Sequence, residues 1–304
     1  MMERVKMVKF FVKCVLGLCV ACACTVLPAQ EWVSSRVYGP FACWGTFDLT
    51  PIEPDLKFLP MISAELIRRL ELPVPEEWIE LYVFADEIQW KEFLEREYPQ
   101  IPYRRALFLK KKKGRGQLFL HLSENFAEDV RHEGTHAFLH AVLSDVPIWL
   151  DEGLAEYFET APAEGTDQSQ PDPRITDADW FPLVLERAQK NEIAKLADLE
   201  ALHEMQEMTS LRYADSWAWV NFLLNGPENV RPLLPLYVSE LLKRKALAVF
   251  PVTPISRRLS KVNENQNEDP NNALNHYLKK LRPHPALDQL LHHTRSRAVG
   301  KPET

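Results

Sequence analysis

Cysteine is nearly absent where it could build anything. Of the five in 304 residues, Cys14, Cys19, Cys22 and Cys24 crowd near the start, leaving Cys43 for the rest of the chain. That count excludes a disulfide framework and a zinc site made of thiolates. Long apolar runs are missing too: the cleanest, residues 14–27, has 14 residues, whereas a membrane span needs about 20. No internal repeat is present. Positive charge is in deficit, with 36 Lys and Arg against 43 Asp and Glu for a net charge of −7. An acidic chain of this kind excludes nucleic acid as the expected partner.

The opening thirty residues have their own layout. Arg4, Lys6 and Lys9 precede a mostly apolar stretch over 10–27, followed by Pro28, Ala29 and Gln30, which is the pattern of an export signal. Cleavage is expected after Ala23 or near Ala29. The residues before Cys22 and Cys24 match a lipoprotein pattern poorly. Residues 1–30 hold four basic groups and one acid, so their removal takes the net charge from −7 to −10. An exported protein is therefore expected (periplasmic, secreted or at the cell surface), with no membrane span after signal cleavage.

The rest of the chain divides by pattern. Residues 31–77 form an N-terminal segment, helix-rich over 55–72. From 78 the alternation and β-branched or aromatic content predict a strand over 78–84, a helix over 86–98 and strands over 103–109 and 117–122. A basic tip, residues 110–116 with Gly114 and Gly116, joins the last two strands, and one of that pair is a candidate sheet edge open to an extended peptide. Ser123 is the expected cap of a long helix that ends by Asp145 and Pro147, and a second helix starts near Leu150. A polar, proline-rich loop covers 161–175. Helices are expected over 179–191, 198–208, 213–224 and 230–247, a linker over 251–272, and a last helix over 273–281. The fold class is α+β: a small mixed sheet beside the long helix, then a mainly helical C-terminal part. A domain over 78–248 comprises sheet and long helix (78–160) and helices (176–248); 249–304 is an extension.

The long helix carries the string "RHEGTHAFLH" over 131–140. Histidines four residues apart lie about 40° apart around a helix and about 6 Å along it, so His132 and His136 can address one ion. Glu133, one residue after His132, can reach a metal-bound water without taking a coordination position, as a general base must. A catalytic zinc needs a third protein ligand and an open place. Glu152, opening the next helix, supplies it. Glu156, one turn on, can accept the free ring N–H of His132 and fix its tautomer. An exposed acidic helix face would account for Glu152 and Glu156 taken alone; next to the two histidines the metal reading is favoured. His140 lies about 12 Å of helix rise beyond His132, too far for the same ion.

"HEGTH", fifteen residues, then "EGLAEYFE" resembles the gluzincin metallopeptidases, and "WLDEGLAEYFE" is close to secreted bacterial peptidase-MA-like domains. The likeness extends over about 78–225. "RYADSWAWVNFLL" resembles the segment in which the aminopeptidase branch carries its transition-state tyrosine, which implies that role for Tyr213. No Gly-x-Met-Glu-Asn string precedes the long helix, so the amino-terminus clamp of those aminopeptidases is not expected. Glu156 stands where thermolysin-like enzymes have aspartate. The resemblance implies one zinc per chain, held by His132, His136 and Glu152, and hydrolysis of a peptide or protein substrate with Glu133 as base. Two rival expectations stand beside it: a zinc-binding scaffold of the same fold without turnover, and a zinc hydrolase acting on a cell-wall amide.

Overall fold

Short alternating stretches build the sheet. The computed structural model describes residues 30–110, 115–160, 179–247, 252–264 and 268–281. Strands β1 (Ser34–Tyr38) and β2 (Phe41–Gly45) come first, then helices α1 (Glu53–Leu56) and α2 (Phe58–Leu70), strand β3 (Ile79–Phe84), helix α3 (Glu87–Glu97), and strands β4 (Leu107–Lys110) and β5 (Gly116–His121). The sheet order is β1-β2-β3-β5-β4. β2, β3 and β5 run parallel, and the two edges, β1 and β4, pair antiparallel. Side chains alternate across it as a two-residue period requires. Cys43, Leu81, Val83, Leu118 and Leu120 face the main core. On the other face Phe84, Leu107 and Phe119 pack with Trp90, Phe93 and Leu94 of α3.

The remainder is helical. α4 (Phe126–Val142) and α5 (Ile148–Glu159) follow β5 directly, and after the proline-rich loop come α6 (Phe181–Lys190), α7 (Leu196–Glu200), α8 (Ser210–Asn225), α9 (Leu233–Leu247), α10 (Ile255–Glu264) and α11 (Pro270–Lys280). The fold is thus α+β, with a five-stranded mixed sheet and a mostly helical C-terminal part. α5 is apolar except for the face that carries Asp151, Glu152, Glu156 and Glu159, and it buries Trp149, Leu150, Leu154, Ala155, Tyr157 and Phe158, as a helix wedged between neighbours must. Those neighbours are α4 and α8. A Cβ at Gly153 would stand 2.8 Å from the main-chain oxygen of Ser216 in α8, so glycine sets how closely the two helices approach.

Several expectations need correction. Residues 31–77 contain β1 and β2, and β2 pairs with β3, so this segment belongs to the same sheet as the strands beyond residue 78. The stretch 251–272, expected as linker, contains α10, whose Ile255 and Leu259 are buried. Its start is held from outside: Glu200 accepts from the Ile255 N–H at 2.6 Å and from the Ser256 hydroxyl. A cap supplied by a distant carboxylate leaves no local signal. α11 docks through Asn271, which donates to the Ile193 carbonyl at 3.0 Å, and Tyr277, which donates to Asn221 at 2.9 Å. The helix expected over 198–208 breaks into α7 and a 3₁₀ turn at Met205–Glu207. The N-cap position of α4 is Asn125, whose side chain makes no capping bond, rather than Ser123; the Ser123 hydroxyl accepts from the Asn125 N–H at 3.2 Å. β4 starts at Leu107, later than expected; ahead of it the Arg104 carbonyl accepts from Nε1 of Trp90 at 2.7 Å, outside the ladder, and the Tyr103 hydroxyl donates to Glu87 at 2.6 Å. The export signal, most of the basic tip, the loop over 161–175 and the tail beyond 281 lie outside the described residues.

Candidate metal centre

Helical spacing places the two imidazoles of α4 one above the other, and packing of α5 against α4 brings a carboxylate to both. Nε2 of His132 and Nε2 of His136 lie 3.2 Å apart. Oε2 of Glu152 is 3.7 Å from the first and 3.5 Å from the second. Tetrahedral bonds of about 2.0–2.1 Å place ligand atoms about 3.3–3.4 Å apart, so this triangle has the size that one metal ion requires. The three form a group that could hold an ion, and no fourth His, Cys, Asp or Glu joins it among the described residues.

The outer nitrogens of both rings face acids, that of His132 in a hydrogen bond and that of His136 in an ion pair without hydrogen-bond alignment. Nδ1 of His132 is 2.8 Å from Oε2 of Glu159, and Nδ1 of His136 is 2.9 Å from Oδ1 of Asp151. A carboxylate at Nδ1 keeps the proton there, which turns the Nε2 lone pair toward the triangle. Burial alone would depress both imidazole pKa values, yet the bond to Glu159 raises His132, and the charge of Asp151 raises His136 well above its ordinary value. Asp151 is itself held far below the usual carboxylate range: its burial is outweighed by the His136 charge. Such a ring of acids favours positive charge at its centre.

Glu156 is therefore not the partner of His132. Its carboxylate accepts from Nε1 of Trp180 at 2.5 Å. Burial, aided by the charge of Glu159, raises its pKa to about 7. The reason is angular: the residue seven beyond Glu152 lies only about 20° off its direction around the helix, against about 40° for the residue four beyond. His132, the earlier histidine, thus meets the later acid of α5, while His136 and His140 meet the earlier one, as in an antiparallel pair. Nε2 of His140 sits 2.8 Å from Oδ2 of Asp151, outside the ligand triangle. Asp151 and Glu159 are the residues at this candidate site that sequence reasoning missed. Their signals were the acid adjacent to Glu152 and the seven-residue spacing.

A cavity of about 780 Å³ opens beside His132, with Glu133, Glu156, Glu159, Trp180 and Ala106 in its wall. Among the described residues the Glu133 carboxylate makes no hydrogen bond or ion pair, leaving it free for a proton or a water. Tyr213 stands in the first turn of α8, half-buried; burial first, then the charges of Glu152 and Glu156, push its phenol up to about 12. Its ring therefore lies within electrostatic reach of the third ligand. Ala106, in the cavity wall, immediately precedes the edge strand β4.

Residues 127–234 match a family model described as "Protein of unknown function (DUF1570)". The matched stretch contains His132, Glu133, His136, Asp151, Glu152, Glu156, Glu159 and Tyr213. Among curated proteins nothing matches the chain.

Proposed function

We propose that the protein is an exported, zinc-dependent hydrolase of peptide bonds, of the gluzincin type that its motifs resemble. One observation carries the reading: two imidazole Nε2 atoms and one carboxylate oxygen converge at metal-ligand spacing while both outer nitrogens face acids. Two nitrogens, one carboxylate and a place left open suit zinc better than the hard, oxygen-seeking divalent ions. His132, His136 and Glu152 would hold it, one per chain. Bound zinc supplies a Lewis acid for the scissile carbonyl and lowers the pKa of a water.

The chain's own groups do the rest. Glu133 accepts the proton of the attacking water and returns it to the leaving amine nitrogen. Glu159 and Asp151 keep Nδ1 of the two histidines protonated and their rings fixed. Tyr213, whose proton stays on at neutral pH, donates to the developing oxyanion. The outer edge of β4, the last strand of the sheet on that side, offers main-chain groups to an extended peptide running past Ala106 into the cavity. A peptide substrate is favoured over a cell-wall amide by that edge, since strand addition reads main-chain amides. An active enzyme is favoured over a silent scaffold by the cavity at His132, because structural zinc sites are closed.

Purified protein should carry about one zinc per chain, and Glu133→Gln should lose about a hundredfold or more in peptide hydrolysis while keeping its metal. Equal rates for the variant and the parent, on any peptide the parent cleaves, would remove the mechanism.

A further inference from the structure

Asp151 holds two histidines at once. Its Oδ1 is 2.9 Å from Nδ1 of His136, and its Oδ2 is 2.8 Å from Nε2 of His140. We infer that His140 is a positioning residue of the metal centre: it donates Nε2–H to Asp151, which fixes the plane of that carboxylate and so aims His136 Nε2 at the ion. The inference rests on the metal reading proposed above. It does not require His140 to touch metal or substrate.

The argument is one of freedom removed. The terminal torsion of an aspartate is broad, and the Oδ1 contact with His136 is an ion pair without hydrogen-bond alignment, so a carboxylate held only there can still swing, carrying the paired imidazole with it. The hydrogen bond at the other oxygen, to His140, removes that swing. The second donor must itself be held, and His140 is. It sits on α4, where helical spacing fixes its backbone relative to His136. Its ring stacks on Phe108 of β4, with centroids 5.6 Å apart and planes 23° apart. Its main-chain carbonyl also accepts from Lys110 of the same strand. A continuous run of contacts therefore joins the sheet edge to a metal ligand: β4, His140, Asp151, His136. The strand that offers its edge to an extended peptide is also the strand that clamps the ligand's outermost support.

Two replacements separate the hydrogen bond from the packing. His140→Phe keeps an aromatic ring against Phe108 and removes the N–H; His140→Gln keeps an amide donor near the position of Nε2. The readout is zinc affinity of the full-length protein, by competition with a chromophoric chelator, with zinc alone as the probe. Loss of a residue that orients a ligand typically weakens metal binding about 10–100-fold. His140→Phe should show a loss of that size, and His140→Gln should bind within about threefold of the parent. If His140→Phe binds zinc as tightly as the parent, or the two variants weaken it equally, the assignment is overturned. Should His140→Phe fail to fold, His140→Leu takes its place: it removes the N–H, and adding it to Asp151→Asn should cost nothing further, whereas an additive loss overturns the relay. A parent protein that binds no zinc removes the metal reading and this inference together; tight binding that is indifferent to His140 removes only this one.

Discussion

Gly153→Ala tests the packing that brings α5 and α8 together, and propensity alone gives it the wrong sign. Alanine in a helix interior is better than glycine by about 1 kcal/mol, so an exposed site would be stabilised. Here the new methyl would lie 2.8 Å from the Ser216 oxygen and 2.8 Å from Cγ2 of Val220. The valine can turn; the main chain cannot. Ordinary contact distances require the helices to part by about 0.5–1 Å, and overpacking of this kind costs about 1–3 kcal/mol. With backbone as one of the obstacles the upper figure applies, leaving a net loss of about 2 kcal/mol after the propensity gain. For a chain of this size the melting temperature should fall by about 4–8 °C. Thermal unfolding followed by circular dichroism, with zinc and with chelator, measures it. Adding Val220→Ala should recover part of the loss, because it removes one of the two obstacles. The same shift carries Tyr213 away from Glu152, so turnover should fall further than zinc affinity does. A Gly153→Ala protein that melts at or above the parent temperature would refute the close-approach reasoning.

Glu159→Gln should weaken zinc about 10–100-fold, and Glu156→Gln much less, as measured by chelator competition; the reverse order would restore Glu156 as the partner of His132. Tyr213→Phe should lower the peptide-cleavage rate with zinc retained, and an unchanged rate would remove the tyrosine from the reaction. Glu200 has a pKa raised by burial, against the lowering effect of its bonds from Ser256 and Ile255. A raised folded value means stability present below the ordinary carboxylate pKa and lost as pH rises through the folded one. The melting temperature of the parent relative to Glu200→Gln should therefore fall as pH climbs from about 4; a rise would contradict the burial account.

The convergence of His132, His136 and Glu152 was legible because its determinants are local. His132 and His136 share a helix face by spacing alone, and Glu152 opens the very next helix. The supports were harder to read. Choosing Glu159 over Glu156 requires knowing that α4 and α5 pair antiparallel, and Asp151 becomes a support only once His140 and His136 are seen on either side of it. β1 gave little signal, since three of its five residues are exposed and show no alternation. α10 did carry a helical pattern, Ile255, Leu259 and Val262 falling on one face, and what hid it was its start, where the cap comes from Glu200. Where burial or capping depends on distant partners, composition carries no trace of it.

The pairing of α4 with α5 has a bearing on how the chain acquires its shape. All three candidate ligands fall within two consecutive helices joined by a short connection through Pro147, so closing that loop costs little chain entropy. The parallel pairing of β2 with β3, by contrast, must wait for a crossover through α2, and such non-local contacts form slowly. A cation captured by the helical hairpin would act as an early clasp, present before the sheet is assembled.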